Sequence, residues 1–288
     1  MNKEAIGLVP VYIKPNSPET DRLVSAYKNT VDILKNTVSH IVVVNDGSWA
    51  ENVKEATITF DNNRGKAEAV RQGLQLIERR LEGKSSYVIQ TDADLDQNPS
   101  DASLILNYFI DNNISPEEPV LIIGDRYSQG QAENSPHRQG MLVLQQAFTI
   151  ALGYDIRDPV SGFRGYTSEY VKKFLELSRS EQYGIEVEQI LIANLIGAKV
   201  FSVPLSYSRL RDPYTLSSKS LNSIYAILEY RDQLRKKGMN RLVDFFEKIK
   251  DLVETKTENF SLDLKEIGTE KTLDFNLKEG NKYSVYVA

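Results

Sequence analysis

The chain has 288 residues, 41% hydrophobic and 26% charged, which is typical of a soluble globular protein. Its net charge of −5 argues against a general nucleic-acid binder. The sequence has no cysteine, which excludes disulfides and thiolate zinc sites, and no run of the roughly 18 apolar residues that a membrane span needs. The opening MNKEAIGLVPVYIKP does not fit a signal peptide, so a cytoplasmic location is expected, with peripheral contact at the inner face of a membrane left open.

Strand and helix signals alternate through the first half of the chain. Apolar runs predict strands at 6–13, 40–48, 57–60, 87–91 and 119–125. Helical periodicity predicts helices at 20–36, within 62–83 and at 101–112. This alternation predicts crossover connections, and therefore an α/β fold with a mostly parallel sheet.

The second half of the chain contains fewer strand signals. Helical patterns cover 141–153, 183–197 and about 220–255, a strand is predicted at 199–207, and polar segments lie at 154–167 and 208–220. Three later segments, FSLDLKEI, KTLDFNL and KYSVYVA, alternate apolar and polar residues and predict a small antiparallel unit. We therefore expect a main domain at 1–238, followed by a helix and a small β unit at 239–288.

Acidic residues cluster where the predicted strands end. Asp46 follows one strand in VVVNDGS, and Asp92, Asp94 and Asp96 follow another in YVIQTDADLDQNP. Ligands of parallel sheets bind beyond the carboxyl ends of the strands. Three crowded carboxylates repel one another unless a cation lies between them, and Mg²⁺ typically takes one or two carboxylates plus substrate phosphates. The alternative is a solvated acidic turn that caps the next helix.

Two further segments have the chemistry of a nucleotide site. Asp46 could accept hydrogen bonds from a base or a ribose, although an Asp-Gly turn alone also explains NDGS. Gly65 and Lys66 lie at a predicted helix start, where the helix dipole and the ammonium group favour a phosphate. The GxxxxGK[ST] and GxGxxG patterns are absent, which argues against a P-loop and against a dinucleotide cofactor.

These motifs occur in an order that resembles the family 2 glycosyltransferases. The order is VPVY, VVNDGS, NRGKAEAVRQG, TDADLD, GDRY, DPVSGFRGYT, GIEVEQILIANLIGAKVFSVPLSY and then a basic SK segment. Within that family the pattern is most similar to the dolichyl-phosphate mannose synthase branch, and the similarity extends over about residues 5–220. The resemblance implies the GT-A fold, which is Rossmann-like, and inverting transfer from a nucleotide sugar.

The resemblance also implies roles at the donor site. Pro10, Tyr12 and Asp46 would contact the nucleotide, with Asp46 at the base or ribose, and Lys66 would lie near it. Asp92 and Asp94 would bind a metal–diphosphate, with Mg²⁺ or Mn²⁺ as the metal. Asp96 occupies a position from which a side chain can also reach that metal.

At the acceptor side, the resemblance places a general base at Asp158, in DPVSGFR. Glu186 and Glu188 lie two residues apart, so one is expected to face the acceptor and the other to be solvated; the family pattern favours Glu188 as the catalytic one.

Four basic residues match phosphate-binding positions of the family. Arg126 and Arg138 correspond to arginines that grip an acceptor phosphate, while Arg211 and Lys219 would close over the diphosphate. Two departures weaken the case for a polyprenyl phosphate acceptor: Leu142 stands where the branch tends to have Ser, and the basic loop RDPYTLSSK is longer and lacks a Gly.

The sequence thus predicts a metal-dependent inverting glycosyltransferase. Its donor would be a UDP- or GDP-sugar, and its acceptor a polyprenyl phosphate or a hydroxyl of a glycan or small molecule. The alternatives are a catalytically silent sugar-nucleotide-binding protein and a nucleotidyltransferase, the latter disfavoured because VPVYIKPNSPE lacks a Gly-rich loop. An apolar stripe at Leu242, Phe245, Phe246, Ile249 and Leu252 predicts a core-facing helix, a homodimer contact or a membrane-surface helix.

Overall fold

The computed structural model describes residues 5–95, 97–127, 156–180, 184–206 and 225–240, single residues between 145 and 250, and the backbone of three strands between 260 and 286. Several residues singled out in the sequence lie outside the described residues: Asp96, Arg138, Leu142, Arg211, Lys219, Leu242, Phe245, Ile249 and Leu252.

The main sheet contains seven strands. They are β1 (Ala5–Val11), β2 (His40–Asn45), β3 (Ile58–Thr59), β4 (Tyr87–Gln90), β5 (Val120–Asp125), β6 (Arg164–Thr167) and β7 (Lys199–Pro204). Their order across the sheet is β3-β2-β1-β4-β6-β5-β7. All neighbouring pairs are parallel except the two that involve β6, which runs antiparallel to both β4 and β5. The predicted α/β fold with a mostly parallel sheet is confirmed.

Helices cover both faces of this sheet because its strands carry apolar side chains on both sides. The helices are α1 (Thr20–Leu34), α2 (Lys66–Leu81), α3 (Ala102–Asp111), α4 (Ser168–Leu177), α5 (Ile185–Leu195) and α6 (Arg231–Lys236). Alternate residues of β1 enter opposite layers, with Leu8 in one and Val9 in the other. Residues of α2, α4 and α5 share the layer of Leu8, while residues of α1 and α3 share the layer of Val9.

Strand β6 was not predicted from the sequence, which indicated only a polar segment at 154–167. The strand has four residues and all four are buried, including Arg164 and Gly165. Tyr166 and Thr167 favour a strand but Arg164 and Gly165 do not, so this short segment gives too weak a signal and its neighbouring strands determine the conformation. Because β6 runs antiparallel, its first residue lies at the edge of the sheet where β4 and β5 end.

The C-terminal segments form a separate sheet, as their alternation predicts. Strands β8 (Phe260–Ile267), β9 (Glu270–Leu277) and β10 (Lys282–Tyr286) pair antiparallel in the order β10-β9-β8. The described residues of the helical region predicted over about 220–255 are mostly helical, with a break where α6 ends at Lys236 and Gly238 follows with a φ of 82°. The domain boundary at 238/239, the homodimer and the peripheral membrane contact stay predictions.

Within the described part of the chain, the helices are too short or too polar to cross a membrane.

We expect Gly165→Ala to lower the free energy of unfolding by about 1–3 kcal/mol, because an added Cβ overpacks the core. That Cβ would lie 2.4 Å from Ile105 Cγ2 and 2.9 Å from Phe109 Cε2 on α3. Urea unfolding would measure the change, with Asn107→Ala on the exposed side of α3 as the control, expected within about 0.5 kcal/mol of wild type. An unchanged or higher stability would contradict this close contact between β6 and α3.

Candidate active site

Three neighbouring parallel strands end at one cleft. Strands β2, β1 and β4 are adjacent and parallel, so the residues that follow them meet at the same edge of the sheet. The cleft there has a volume of about 260 Å³. Its lining includes six of the residues that the sequence singled out for donor and metal binding, namely Pro10, Tyr12, Asp46, Lys66, Asp92 and Asp94.

Asp46 holds the loop that begins α2. Its two carboxylate oxygens accept hydrogen bonds from the backbone N–H groups of Arg64, at 2.6 Å, and Gly65, at 3.0 Å. Burial raises the pKa of Asp46, and these two hydrogen bonds oppose that rise. Gly47 is required beside it, because its φ is 82° and a Cβ there would lie 2.3 Å from the backbone nitrogen of Asn63. Asp46 therefore fixes where Lys66, the first residue of α2, enters the cleft.

Lys66 makes two ion pairs at the centre of the site. Its Nζ lies 2.7 Å from Asp92 Oδ1 and 2.6 Å from Glu186 Oε1, in the first turn of α5. Burial alone would lower the pKa of Lys66, but the two carboxylates outweigh it and raise the pKa above its ordinary value. Lys66 is therefore charged at neutral pH, and one ammonium group faces two carboxylates.

Asp92 is also fixed by the backbone of the segment before β6. A Cβ added to Gly162 would lie 2.2 Å from Asp92 Oδ2, so only glycine leaves room for this carboxylate. The segment that carries Asp158 therefore borders the acidic residues that follow β4.

The residues of the cleft fit a divalent cation. Asp92 already binds a cationic group, and Asp94 lines the same cleft. Asp96 lies outside the described residues. Among the residues that are described, no group of three or more His, Cys, Asp or Glu side chains could hold a metal ion. Mg²⁺ favours coordination by one or two carboxylates together with the phosphates of a substrate. Asp92 and Asp94 are therefore chemically suitable ligands.

Asp158 and Arg126 form a buried pair at the end of β5. The Arg126 Nε and Nη2 atoms donate to Asp158 Oδ2 and Oδ1 at 2.5 and 2.8 Å, and the backbone N–H of Arg126 donates to Oδ2 at 3.3 Å. The Asp158 side chain is 0% exposed and that of Arg126 is 12% exposed. Burial lowers the pKa of Arg126, but the Asp158 carboxylate outweighs this and raises it. Both oxygens of the predicted base are thus held by a permanent cation.

Arg164, which sequence reasoning missed, supports the segment that precedes β6. Its Nε donates to the Ser161 carbonyl and its Nη2 to the Pro159 carbonyl, both at 2.7 Å. Desolvation lowers the pKa of this fully buried guanidinium. Arg164 is the last residue of the motif SGFR. Its role could not be predicted, because a buried arginine that binds backbone carbonyls produces no periodic pattern in a sequence.

Glu186 and Glu188 have different surroundings, and the expectation that one of them is solvated is wrong. Glu186 is 7% exposed and joins Lys66, whereas Glu188 is 0% exposed and points elsewhere. Glu188 accepts hydrogen bonds from four donors, which are the Ser178 hydroxyl, the Arg179 and Ser180 backbone N–H groups and the Tyr230 hydroxyl. The structure thus brings Glu186, rather than the favoured Glu188, to Asp92.

Comparison with known proteins supports the resemblance. No family model matches the sequence. The chain is 28% identical over 175 residues to glycosyltransferase AglJ of Haloferax volcanii, which covers 58% of this chain and 53% of that protein. It is 23% identical over 218 residues to a dolichyl-phosphate beta-glucosyltransferase of Trichomonas vaginalis, covering 69% and 65% of the two chains. The predicted resemblance to glycosyltransferases is confirmed, although the chain spans only about half to two thirds of these relatives.

Solved structures share the fold at low sequence identity. Mannosyl-3-phosphoglycerate synthase from Rubrobacter xylanophilus has a TM-score of 0.56 at 13% identity, covering 97% of this chain and 88% of that chain. Glucosyl-3-phosphoglycerate synthase from M. tuberculosis has a TM-score of 0.50 at 15% identity, covering 79% and 80%. The predicted GT-A fold is therefore confirmed.

We expect Glu188→Gln to lower the free energy of unfolding by about 2–3 kcal/mol, because the new amide NH₂ would face buried donors. Chemical denaturation would measure it, with Glu186→Gln as the matched control and a smaller expected loss, since its amide oxygen still accepts from Lys66. Wild-type stability of Glu188→Gln combined with loss of sugar transfer would instead support the catalytic role predicted from the sequence.

Proposed function

We propose that this protein is a metal-dependent inverting glycosyltransferase that uses a UDP- or GDP-sugar. The observation that carries the proposal is the convergence of Asp46, Lys66, Asp92 and Asp94 on one cleft beyond three parallel strands. This is where open α/β sheets bind their ligands, and the relatives named for an activity are glycosyltransferases.

The cleft offers a separate group for each part of a nucleotide. Tyr12 is 43% exposed and lines the cleft, so its ring provides a surface for a base. Asp46 retains lone pairs beyond its two backbone partners and would accept a hydrogen bond from the base or ribose. Lys66, at the N-terminus of α2, would bind the diphosphate.

Asp92 and Asp94 would hold Mg²⁺ or Mn²⁺ together with the diphosphate. When bound, the metal supplies the positive charge that stabilises the departing nucleoside diphosphate. Lys66 adds a second positive charge on the same side of the cleft, and the buried position of its side chain strengthens that interaction.

Between the two acceptor classes, we propose a polyprenyl phosphate. A hydroxyl acceptor needs a base to take its proton, but Asp158 is fully buried and both of its oxygens are engaged by Arg126, which itself remains 12% exposed. A phosphate monoester is already ionised at neutral pH and needs no such base. Arg126 can bind a phosphate oxygen, and one relative is named for transfer to dolichyl phosphate.

We expect transfer or hydrolysis of a UDP- or GDP-sugar in the presence of Mg²⁺ or Mn²⁺, and its loss with EDTA. Asp94→Asn should lower the rate by about 100-fold or more, because it removes a charged ligand of the metal–diphosphate. A coupled assay of released UDP or GDP over a donor panel would measure this, with the exposed Asp111→Asn as the control. Absence of turnover with every donor and either metal would contradict the proposed function.

We expect a polyprenyl phosphate to be glycosylated and the corresponding free polyprenol not to be, because only the phosphate carries an ionised nucleophile. Arg126→Lys keeps the charge but loses the planar, two-pronged geometry, so it should raise the acceptor KM about tenfold and change the donor KM less than about twofold. Radiolabelled transfer assays over both acceptors would measure these constants. Transfer to the polyprenol or to a sugar hydroxyl alone would favour the hydroxyl-acceptor class.

A further inference from the structure

Lys66 occupies the position of a cation in the acidic site. Its ammonium group bridges Asp92 Oδ1 and Glu186 Oε1 at 2.7 and 2.6 Å, and its side chain is only 19% exposed. Glu186 is buried and Asp92 is partly buried, with side chains 9% and 29% exposed, so a positive charge between them stabilises both. In this structure, the Lys66 ammonium is the cation that forms an ion pair with both carboxylates.

We infer that Lys66 is an internal counter-cation that keeps Asp92 from binding a divalent metal until a nucleoside diphosphate enters the cleft. A metal ion that approaches Asp92 meets the Lys66 ammonium within a few ångströms, and two cations repel strongly in a poorly solvated site. The metal must therefore compete with Lys66 for the Asp92 carboxylate. This inference rests on the proposed function, because it concerns the metal of the same site.

A diphosphate removes this competition because it gives Lys66 another anion to bind. Lys66 is the first residue of α2, and the cleft that it lines extends to Asp46 and Tyr12, so an incoming diphosphate would lie within reach of its ammonium. When Lys66 turns to the phosphates, a metal ion can take the place of its ammonium at Asp92 Oδ1, and the phosphates supply further oxygen ligands.

Glu186 has a positioning role in this scheme. Its carboxylate pairs with the same ammonium at 2.6 Å, so Lys66 keeps one partner in the site while Asp92 changes its own. Glu186 is buried and its helix is anchored two residues later by Glu188, which restricts its own movement. It acts on the metal only through Lys66.

The consequence is a coupling between two ligands of the same cleft. The metal should bind weakly alone and tightly with the nucleotide, and the nucleotide must gain affinity from the metal by the same factor. A metal bridge to the diphosphate produces coupling in any such site, so coupling alone does not test Lys66. The specific consequence is that removal of the ammonium strengthens binding of the metal in the absence of nucleotide.

The experiment measures the Kd of Mn²⁺ by the electron paramagnetic resonance signal of the free ion, alone and with saturating UDP or GDP. For Lys66→Met without nucleotide, we expect the Kd of Mn²⁺ to fall about tenfold or more below that of wild type, because the competing charge is gone. Mn²⁺ alone should also raise the Tm of Lys66→Met more than that of wild type, because it replaces the missing counter-charge.

Two further variants keep the test decisive. The double variant Lys66→Met/Glu186→Gln removes one charge of each sign, so it can replace Lys66→Met if that single variant folds poorly. In the absence of nucleotide, the double variant should still bind Mn²⁺ more tightly than wild type. Lys199→Met is the matched control: Lys199 begins β7, pairs with Glu118 on the surface, and its loss should leave the Kd of Mn²⁺ unchanged.

The outcomes separate this inference from the proposed function. Wild type that binds Mn²⁺ with nucleotide, together with Lys66 variants whose Kd for Mn²⁺ alone equals that of wild type, would overturn the role of Lys66 and leave the metal site intact. Absence of Mn²⁺ binding in every variant, with or without UDP or GDP, would overturn both.

Discussion

The arrangement of the site depends on the charge balance around Lys66. This residue joins the start of α2, the end of β4 and the first turn of α5, three elements that are far apart in the sequence. A buried ammonium is costly unless carboxylates surround it, and here two of them do. The two ion pairs of Lys66 tie the end of β4 and the first turn of α5 to the start of α2, so the geometry of the cleft depends on both of them.

The antiparallel strand β6 places the remaining groups beside this cluster. In a wholly parallel sheet, the segment that precedes a strand lies at the edge opposite the ligand site. Because β6 is reversed, the residues before it, including Asp158 and Gly162, lie where β4 and β5 end. Asp92 rests against Gly162, and Asp158 binds Arg126 across the end of β5. One reversed strand of four residues therefore brings the pair of Asp158 and Arg126 to the same edge of the sheet as the cleft.

The sequence predicted the site residues that follow strand ends and missed the contacts that depend on tertiary packing. Asp46 and Asp92 could be placed because each directly follows an apolar strand, and parallel strands bring their carboxyl ends together. Glu186 could not be distinguished from Glu188, because residues 185–193 of α5 are all buried and give no polar face. The pair of Arg126 and Asp158 joins residues 32 apart, and neither local propensity nor periodicity reports such a contact. Tertiary structure determines which charged residues pair in the interior. A single sequence indicates such pairs only where it resembles a known family.

The two glutamates of α5 also show how residues outside the cleft stabilise it. Glu186 faces Lys66, while Glu188 binds the end of α4 and the Tyr230 hydroxyl. Burial and the neighbouring Glu188 raise the pKa of Tyr230, so this hydroxyl remains a donor at neutral pH. A displacement of Tyr230 would leave a buried carboxylate short of one donor, two residues from the group that positions Lys66. Tyr230 therefore stabilises, through Glu188, the first turn of the helix that carries Glu186.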